Sequence, residues 1–451
     1  MTKRLLTVLC TLALTVSLVF AQGAVEAKKT TSEGPVTLKV MNYIDMSEPN
    51  SMNEVSMIWE KFNELHPEIK VEREDLFNEP FHQKVEAYVA SGNVPDVIYM
   101  WPGGRSTSLQ TTHSVKDLRP LLEKDGLLND YAPAALVDQT AGYLAELPNG
   151  ITSSHMMYAN TKVLRENGLS IPKTYAELKA MVPTLKAKGI EVIGMANMDS
   201  WVMQSCLFSL VVGRMGGADW YEQLASGKIN FNDPWFVKSL ELISDMYKSG
   251  VLNQNTLDIG YGSNRGDFAT GKCAFYIDGD WSAAAFQKDI TTGQALTTPE
   301  QQQNDIELMV FPAIDGEVVH NSTSGVVGTG WGMSASIEAG SAKEAAAWTL
   351  IKFLEGEYAQ TYRLTTGASF PSNLKVDVDK VIKDNNLEPI VGKRAVFYTK
   401  YSTTPVIDGV LHSDVYNIIN TGLQEIGLGS KTPAQVASET QKAWEAFNAN
   451  N

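Results

Sequence analysis

Cysteine is scarce: the 451 residues hold only three, which excludes a fold held together by disulfide bonds. Positive charge is short as well. There are 37 Lys and Arg against 52 Asp and Glu, and the net charge of -15 at pH 7 argues against nucleic acid or an anionic membrane as partner. Long hydrophobic runs are missing after Phe20, so no membrane span is expected in the body of the chain. Histidines 66, 82, 113, 155, 320 and 412 are scattered, without HExxH spacing and without a CxxC pair elsewhere, so no zinc site is indicated and no cofactor is expected. No serine sits in a G-x-S-x-G elbow, and no repeat of solenoid period is present.

What remains is a globular composition: 43% of residues are hydrophobic and only 20% charged, enough to bury a sizeable core. At about 150 residues per domain, the length fits two large domains or three smaller ones. Lys3 and Arg4 precede an apolar stretch from Leu5 to Phe20, followed by Ala21 and a polar segment. The stretch is shorter than the roughly 20 residues that span a bilayer, so residues 1–21 read as a secretory signal peptide. Cys10 lies mid-stretch behind Leu9, which leaves no lipid-attachment cysteine at a usable position. Residues 22–35 read as a flexible lead-in, and the exported chain is expected in the periplasm. Cys206 and Cys273 are expected there as small buried hydrophobes, with a disulfide as the alternative.

From Val36 onward, short β-rich runs alternate with longer helical ones. Residues 36–42, 69–75 and 97–101 read as strands, and 54–65 and 81–90 as helices. The alternation resumes after Pro148-Asn149-Gly150, with strands at 154–158, 191–195 and 273–277. Thr174-Tyr-Ala-Glu177 has the spacing of a capping box, and 201–212 reads as a helix. Asp233-Pro234 opens another, with Phe236, Leu240, Ile243 and Tyr247 at helical spacing. Strands at 306–311 and 323–331 and helices at 343–354, 415–426 and 433–447 complete two α/β units rather than forming a third.

Gly330-Trp-Gly332-Met-Ser-Ala335 formally fits a dinucleotide fingerprint, but the bulky Trp between the glycines argues against it. Tyr261-Gly-Ser-Asn-Arg-Gly266 lacks the Lys-Ser/Thr pair of a phosphate loop and reads as a surface loop. Asp278 and Asp280 flank a glycine at a strand end. Residues i and i+2 of a strand share a face, so the pair is a candidate for turn formation, ligand hydrogen bonding or acid/base catalysis in one cleft. The aromatics are more telling. Trp101, Trp281 and Trp331 end or flank strands, Tyr158 ends another, and Trp201 opens a helix after a strand. Ligands of open α/β sheets bind at strand carboxyl ends, and flat aromatics beside carboxylates suit the apolar faces and hydroxyl rims of sugars.

Several segments in order, Phe62-Asn-Glu-Leu-His-Pro67, Ser91-Gly-Asn-Val-Pro-Asp-Val97, Met157-Tyr-Ala-Asn160, Pro172-Lys-Thr-Tyr175 and Gly271-Lys-Cys-Ala-Phe275 leading into Gly279-Asp-Trp281, give the chain a recognisable pattern. It resembles an extracellular solute-binding protein of an ABC importer, in the carbohydrate-binding branch that includes the maltose-binding proteins. The resemblance implies an α/β, two-lobed periplasmic-binding-protein (Venus-flytrap) fold, each lobe a central sheet flanked by helices, with the chain crossing repeatedly at the hinge. Lobe 1 would comprise 36–149 and 282–330, and lobe 2 would comprise 150–281 and 331–451. By position, Trp101, Trp201, Trp281 and Tyr416 match aromatic stacking sites, and Tyr43, Asp45, Asn78 and Glu79 match polar sugar contacts. Trp331 and Arg105 are added from placement near the cleft, together with Tyr158, Asp278 and Asp280. The implied function is periplasmic sugar binding without catalysis or cofactor, by a monomer that delivers its ligand to a membrane permease. Two rival readings are an exported glycoside hydrolase using Asp278 and Asp280, and a binding protein for a charged solute such as a polyamine or phosphorylated sugar.

Overall fold

The computed structural model describes residues 34–47, 49–136, 142–150, 153–289, 292–326 and 328–450. The expected signal segment and most of the lead-in lie outside them. From Pro35 to Asn451 the chain forms one compact unit. No helix among the described residues is long and apolar enough to cross a membrane.

In chain order the described strands are β1 (Val36–Tyr43), β2 (Ile69–Leu76), β3 (Val97–Met100), β4 (Leu147–Pro148), β5 (Ser153–Asn160), β6 (Glu191–Gly194), β7 (Cys273–Gly279), β8 (Ile306–Met309), β9 (Ser322–Val326), β10 (Gly330–Met333) and β11 (Ser402–Pro405). They form two sheets. The first has the order β2-β1-β3-β10-β4, and the second β11-β9-β5-β7-β6 with β8 also on β5. Strand β1 lies between β2 and β3, parallel to both, with Val36 opposite Ile69 and Val40 opposite Val97. All three therefore end at one edge. Residues Cys273 to Ile277 of β7 are an unbroken apolar run because the strand is covered on both faces. Phe275 and Ile277 join a core with Phe208, Phe236 and Leu240, while Tyr276 packs with Tyr158 and Phe286 on the other side.

Local sequence accounts for most helices. Helix Pro234–Ser249 starts at its proline and buries Phe236, Leu240, Ile243 and Tyr247. At Thr174 the capping box is half formed: its hydroxyl accepts from Glu177 N, but the Glu177 carboxylate turns to Lys173 N. A complete box joins Thr298 and Gln301 instead. The helix expected at 54–65 begins earlier, at Pro49, and contains a wide π turn over Val55–Glu60. Cys206 and Cys273 are free and buried.

Two expectations need correction. The strand read at 323–331 is two strands in different sheets, β9 and β10. The return segments also distribute differently from the expected division into 282–330 and 331–451. Strands β8 and β9 complete β5 in the second sheet, whereas β10 pairs with β3 in the first. Helix Ala342–Leu354 then shares a core with Leu38, Val40 and Trp331 on the first sheet. An apolar run specifies a strand but not which exposed sheet edge it completes.

Beyond β7 the chain is pinned by a buried ion pair. Asp280 accepts from Arg394 Nη2 at 2.6 Å and from the Tyr398 hydroxyl, and Arg394 Nη1 donates to Gly367 O at 2.5 Å. Burial opposes the Arg394 charge, but Tyr398 and Asp280 outweigh it and the guanidinium stays protonated. Removing one partner of such a pair strands the other charge in the interior. Asp280→Ala is therefore expected to lower the unfolding free energy by about 3–5 kcal/mol in chemical denaturation. An unchanged midpoint would show that the pair does not hold helix Pro389–Lys400 to β7.

Candidate functional site

The carboxyl ends of β1, β2 and β3 face the second sheet across a cleft of about 390 Å³. Strand β1 delivers Tyr43 and Asp45, the turn after β2 delivers Phe77 and Asn78, and the exit of β3 delivers Trp101. The opposite wall comes from the start of β5 (His155), the start of the helix after β6 (Trp201), the turn after β7 (Trp281) and the segment Tyr261 to Arg265. Asn149, Thr329, Trp331 and Ser369 lie where the chain passes between the sheets.

On the first wall the Tyr43 ring stands perpendicular to Trp101 at 4.7 Å and stacks on Tyr99 at 5.8 Å, while His82 lies 4.8 Å from Trp101. On the second, Trp201 meets Tyr261 at 4.9 Å and His155 meets the Trp281 ring edge-on at 5.6 Å. Trp281 Nε1 donates to the Tyr261 hydroxyl at 2.5 Å, which also accepts from Arg265 Nη2 at 2.9 Å. Trp281 is thus oriented by a hydrogen bond and does not rest on packing alone. Burial holds the Tyr43 and Tyr261 phenols well above their usual range and pushes Tyr99 up to about 12, so all three keep their protons.

The charges in the wall cancel. Arg105, Arg265 and Arg363 stand against Asp45, Glu54 and Asp408. Arg105 Nε donates to Asp408 Oδ2 at 2.7 Å, and Arg363 Nη2 lies 3.2 Å from Glu54. Arg265 is additionally 3.8 Å from Asp278 beneath the surface. Burial lowers the His155 imidazole to about 4 against the opposing pull of Asp408, Asp278 and Asp280, and lowers His82 well below its usual range with help from Arg105. Both are neutral at pH 7.

Of the residues singled out in the sequence, the cleft gathers Tyr43, Asp45, Trp101, Arg105, Trp201, Trp281 and Trp331 in its wall. Glu79 and Tyr416 sit beside Arg105, at 3.6 Å from Nη1 and with the ring 5.7 Å from the guanidinium carbon. Three candidates are placed elsewhere. Tyr158 is buried against Tyr276 and Phe286, and its hydroxyl donates to Gly279 O at 2.9 Å. Asp278 is held below the surface by Gly279 N and by the Tyr276 and Ser282 hydroxyls. Asp280 belongs to the Arg394 pair. The expected shared face fails because the strand ends at Gly279 and a 3-10 turn begins at Asp280, ending the two-residue alternation. The segment from Tyr261 to Gly266, expected as a surface loop, enters the cleft wall through Tyr261, Gly262 and Arg265. The formal dinucleotide pattern is simply β10 and its exit. Missed altogether were Tyr99 and His155, on β3 and β5, and His82, Arg363 and Asp408, which carried no sequence signal. Among the described residues no cluster of His, Cys, Asp or Glu is fit to hold a metal ion.

A cleft between two α/β sheets, with the chain crossing from one to the other, defines a two-lobed solute-binding architecture. Residues 49–361 match the model of the family described as bacterial extracellular solute-binding protein, and the chain belongs to that family. The sn-glycerol-3-phosphate-binding periplasmic protein of Yersinia pestis is 26% identical over 217 residues, 44% of this chain and 47% of that one. A probable sugar-binding periplasmic protein of Mesorhizobium japonicum is 26% identical over 249 residues, 53% and 54% of the two chains. The chain thus spans about half the length of these curated relatives. Among solved structures, a chitin oligosaccharide binding protein superposes with a TM-score of 0.80 at 20% identity, covering 92% of this chain and 99% of that one. Maltose-bound T. maritima MalE3 gives 0.72 at 18% identity, covering 91% and 100%. At such identities the likeness establishes the two-lobed fold.

A neutral buried histidine has a measurable consequence. Between about pH 6.5 and about 4 the unfolded chain protonates His155 while the folded chain does not, so stability falls as pH falls through that window. His82 acts in the same sense. Denaturation midpoints measured across this range should decline more steeply for the wild type than for His155→Asn. Parallel profiles would show that His155 is not held neutral by its burial.

Proposed function

We propose that the chain is the periplasmic sugar-binding component of an ABC importer, trapping a neutral saccharide between its lobes and delivering it, as a monomer without catalytic activity, to a membrane permease. The observation that carries this reading is the composition of the cleft: opposed clusters of Trp and Tyr, with every arginine in the wall matched by a carboxylate. Aromatic faces take up the C-H faces of sugar rings, and the phenols, Asn78, Asp45 and the paired charges supply donors and acceptors for hydroxyls. Closure then removes water from these contacts, and the closed form is the one a permease has to distinguish. The sugar-binding names of the Mesorhizobium relative and of the chitin oligosaccharide and maltose neighbours support the same direction. With Asp278 and Asp280 sequestered, the glycosidase reading loses its acid/base pair.

The second reading, a phosphorylated polyol, is supported by the name of the Yersinia relative and by three arginines in the wall. Against it, an anion would have to draw those arginines away from carboxylates they already contact.

Native mass spectrometry of the mature protein with neutral mono-, di- and trisaccharides and with glycerol 3-phosphate decides between them. An intact one-to-one saccharide adduct supports the proposal. Binding of glycerol 3-phosphate alone replaces it with the second reading, and cleaved sugar restores the hydrolase. Trp281→Ala is expected to weaken saccharide binding by at least about tenfold while leaving the far-ultraviolet spectrum unchanged. Unchanged affinity would remove Trp281 from the contact surface.

A further inference from the structure

Two of the four positions matched to aromatic stacking sites, Trp201 and Tyr416, are engaged by a side chain of the protein itself. The Arg105 guanidinium carbon lies over both rings, 5.8 Å from the centre of Trp201 and 5.7 Å from that of Tyr416, within cation-π range. Arg105 follows β3 on the first sheet and is almost fully buried. Its Nε donates to Asp408 Oδ2 at 2.7 Å, on the short helix Ile407–Val410, whose Ile407 belongs to the core of the second sheet. The ion pair therefore spans the cleft. It does not stand alone: Glu79 lies 3.6 Å from Arg105 Nη1, and its neighbour Asn78 donates across to Asp199 Oδ1 at 3.1 Å.

Backbone contact seals the same place. A Cβ atom at Gly104 would fall 2.2 Å from Asp408 O and 2.3 Å from Leu411 O, so the segment before Arg105 rests directly on the main chain of the other lobe. Arg105 forms part of the cavity wall, whereas Tyr416 lies outside it and is only 7% exposed.

We infer that Arg105, clamped by Asp408, is a plug that closes one end of the cleft and sets the length of the saccharide it admits. The inference rests on the sugar-binding reading for its ligand class. Short saccharides fit between the Trp101 and Trp281 walls, and longer ones would need the space over Tyr416 that the guanidinium fills.

The test compares the wild type with the double variant Arg105→Ala, Asp408→Asn, in which no buried carboxylate is left without its partner. Titration calorimetry with neutral gluco-, xylo- and chito-oligosaccharides of increasing length is expected to show the wild type favouring the shortest members. In the double variant the ratio of long-chain to short-chain affinity should rise about tenfold, whatever happens to either affinity alone. A wild type that favours long chains, or a ratio that does not move, overturns the plug and leaves the sugar reading standing. If no saccharide binds either protein, the sugar reading fails, and the plug is judged without ligand. Tyr416→Cys is introduced into both backgrounds and labelled with a maleimide, the two native cysteines being buried. Labelling should be about tenfold faster without Arg105, and equal rates overturn the inference.

Discussion

The close passage of three chain segments between the sheets is the constraint on which the rest depends. Gly330 pairs with Pro148 across β10 and β4, and a Cβ atom there would fall 2.1 Å from Leu147 O. One residue pair on, Asn149 N donates to Thr329 O at 2.8 Å, and a Cβ at Gly328 would fall 2.3 Å from Gly150 O. The third segment joins through Ser369, whose hydroxyl donates to Asn149 O, and through Ser372 and Gln360, which both donate to Pro148 O. Side chains larger than hydrogen would separate these backbones. Asn149, Thr329 and Ser369 also line the cleft, so the place where the lobes join is the floor of the cleft. A ligand touching that floor contacts the region any lobe movement must bend.

Charge placement follows from the same confinement. Residues brought to a closed cleft lose water, and an unmatched charge there is costly. Arg363 illustrates the resolution: it pairs with Glu54, donates to Leu354 O, and lies 3.7 Å from the buried Glu355. Burial drives the Glu355 carboxyl well above its usual range, and Glu54 and Glu146 push in the same direction against Arg363. Burial thus favours the protonated form of Glu355, which eases the demand on the single arginine. The cleft ends with polar groups to offer and no net charge to satisfy, which suits an uncharged polyhydroxylated solute better than an ion.

Much of this was legible in the sequence, for identifiable reasons. Alternating strands and helices place strand carboxyl ends on one edge, so Trp101 could be assigned to a cleft from local pattern, whereas Tyr43 was reached only through the family resemblance. Trp281 was legible because it closes the apolar run of β7. Asp278 and Asp280 misled because the strand period was extended one residue into a 3-10 turn. Tyr158 misled because β5 is central, so both of its faces are core. The allocation of β8, β9 and β10 depended on which sheet edges remained open, a property of the assembled fold. Asp408 carried no local signal. Its role arises from a partner 303 positions away, and nothing in its surroundings distinguishes it from a surface carboxylate.

The cross-cleft ion pair bears on how closure is driven. In an open form Arg105 and Asp408 are each hydrated, and bringing them together in a buried seam loses that hydration. The desolvation cost of such a pair roughly offsets its Coulomb attraction, so it supplies little net drive toward closure. What it supplies is alignment, since a guanidinium and a carboxylate meet well in few geometries. The drive must come from elsewhere, and the unfilled part of the cleft is where apolar surface remains to be buried, on Trp101, Trp281 and the tyrosines beside them. Closure is then favourable chiefly when a ligand fills that space. A seam that aligns without driving and aromatic walls that drive only when occupied together couple the closed shape to an occupied cleft.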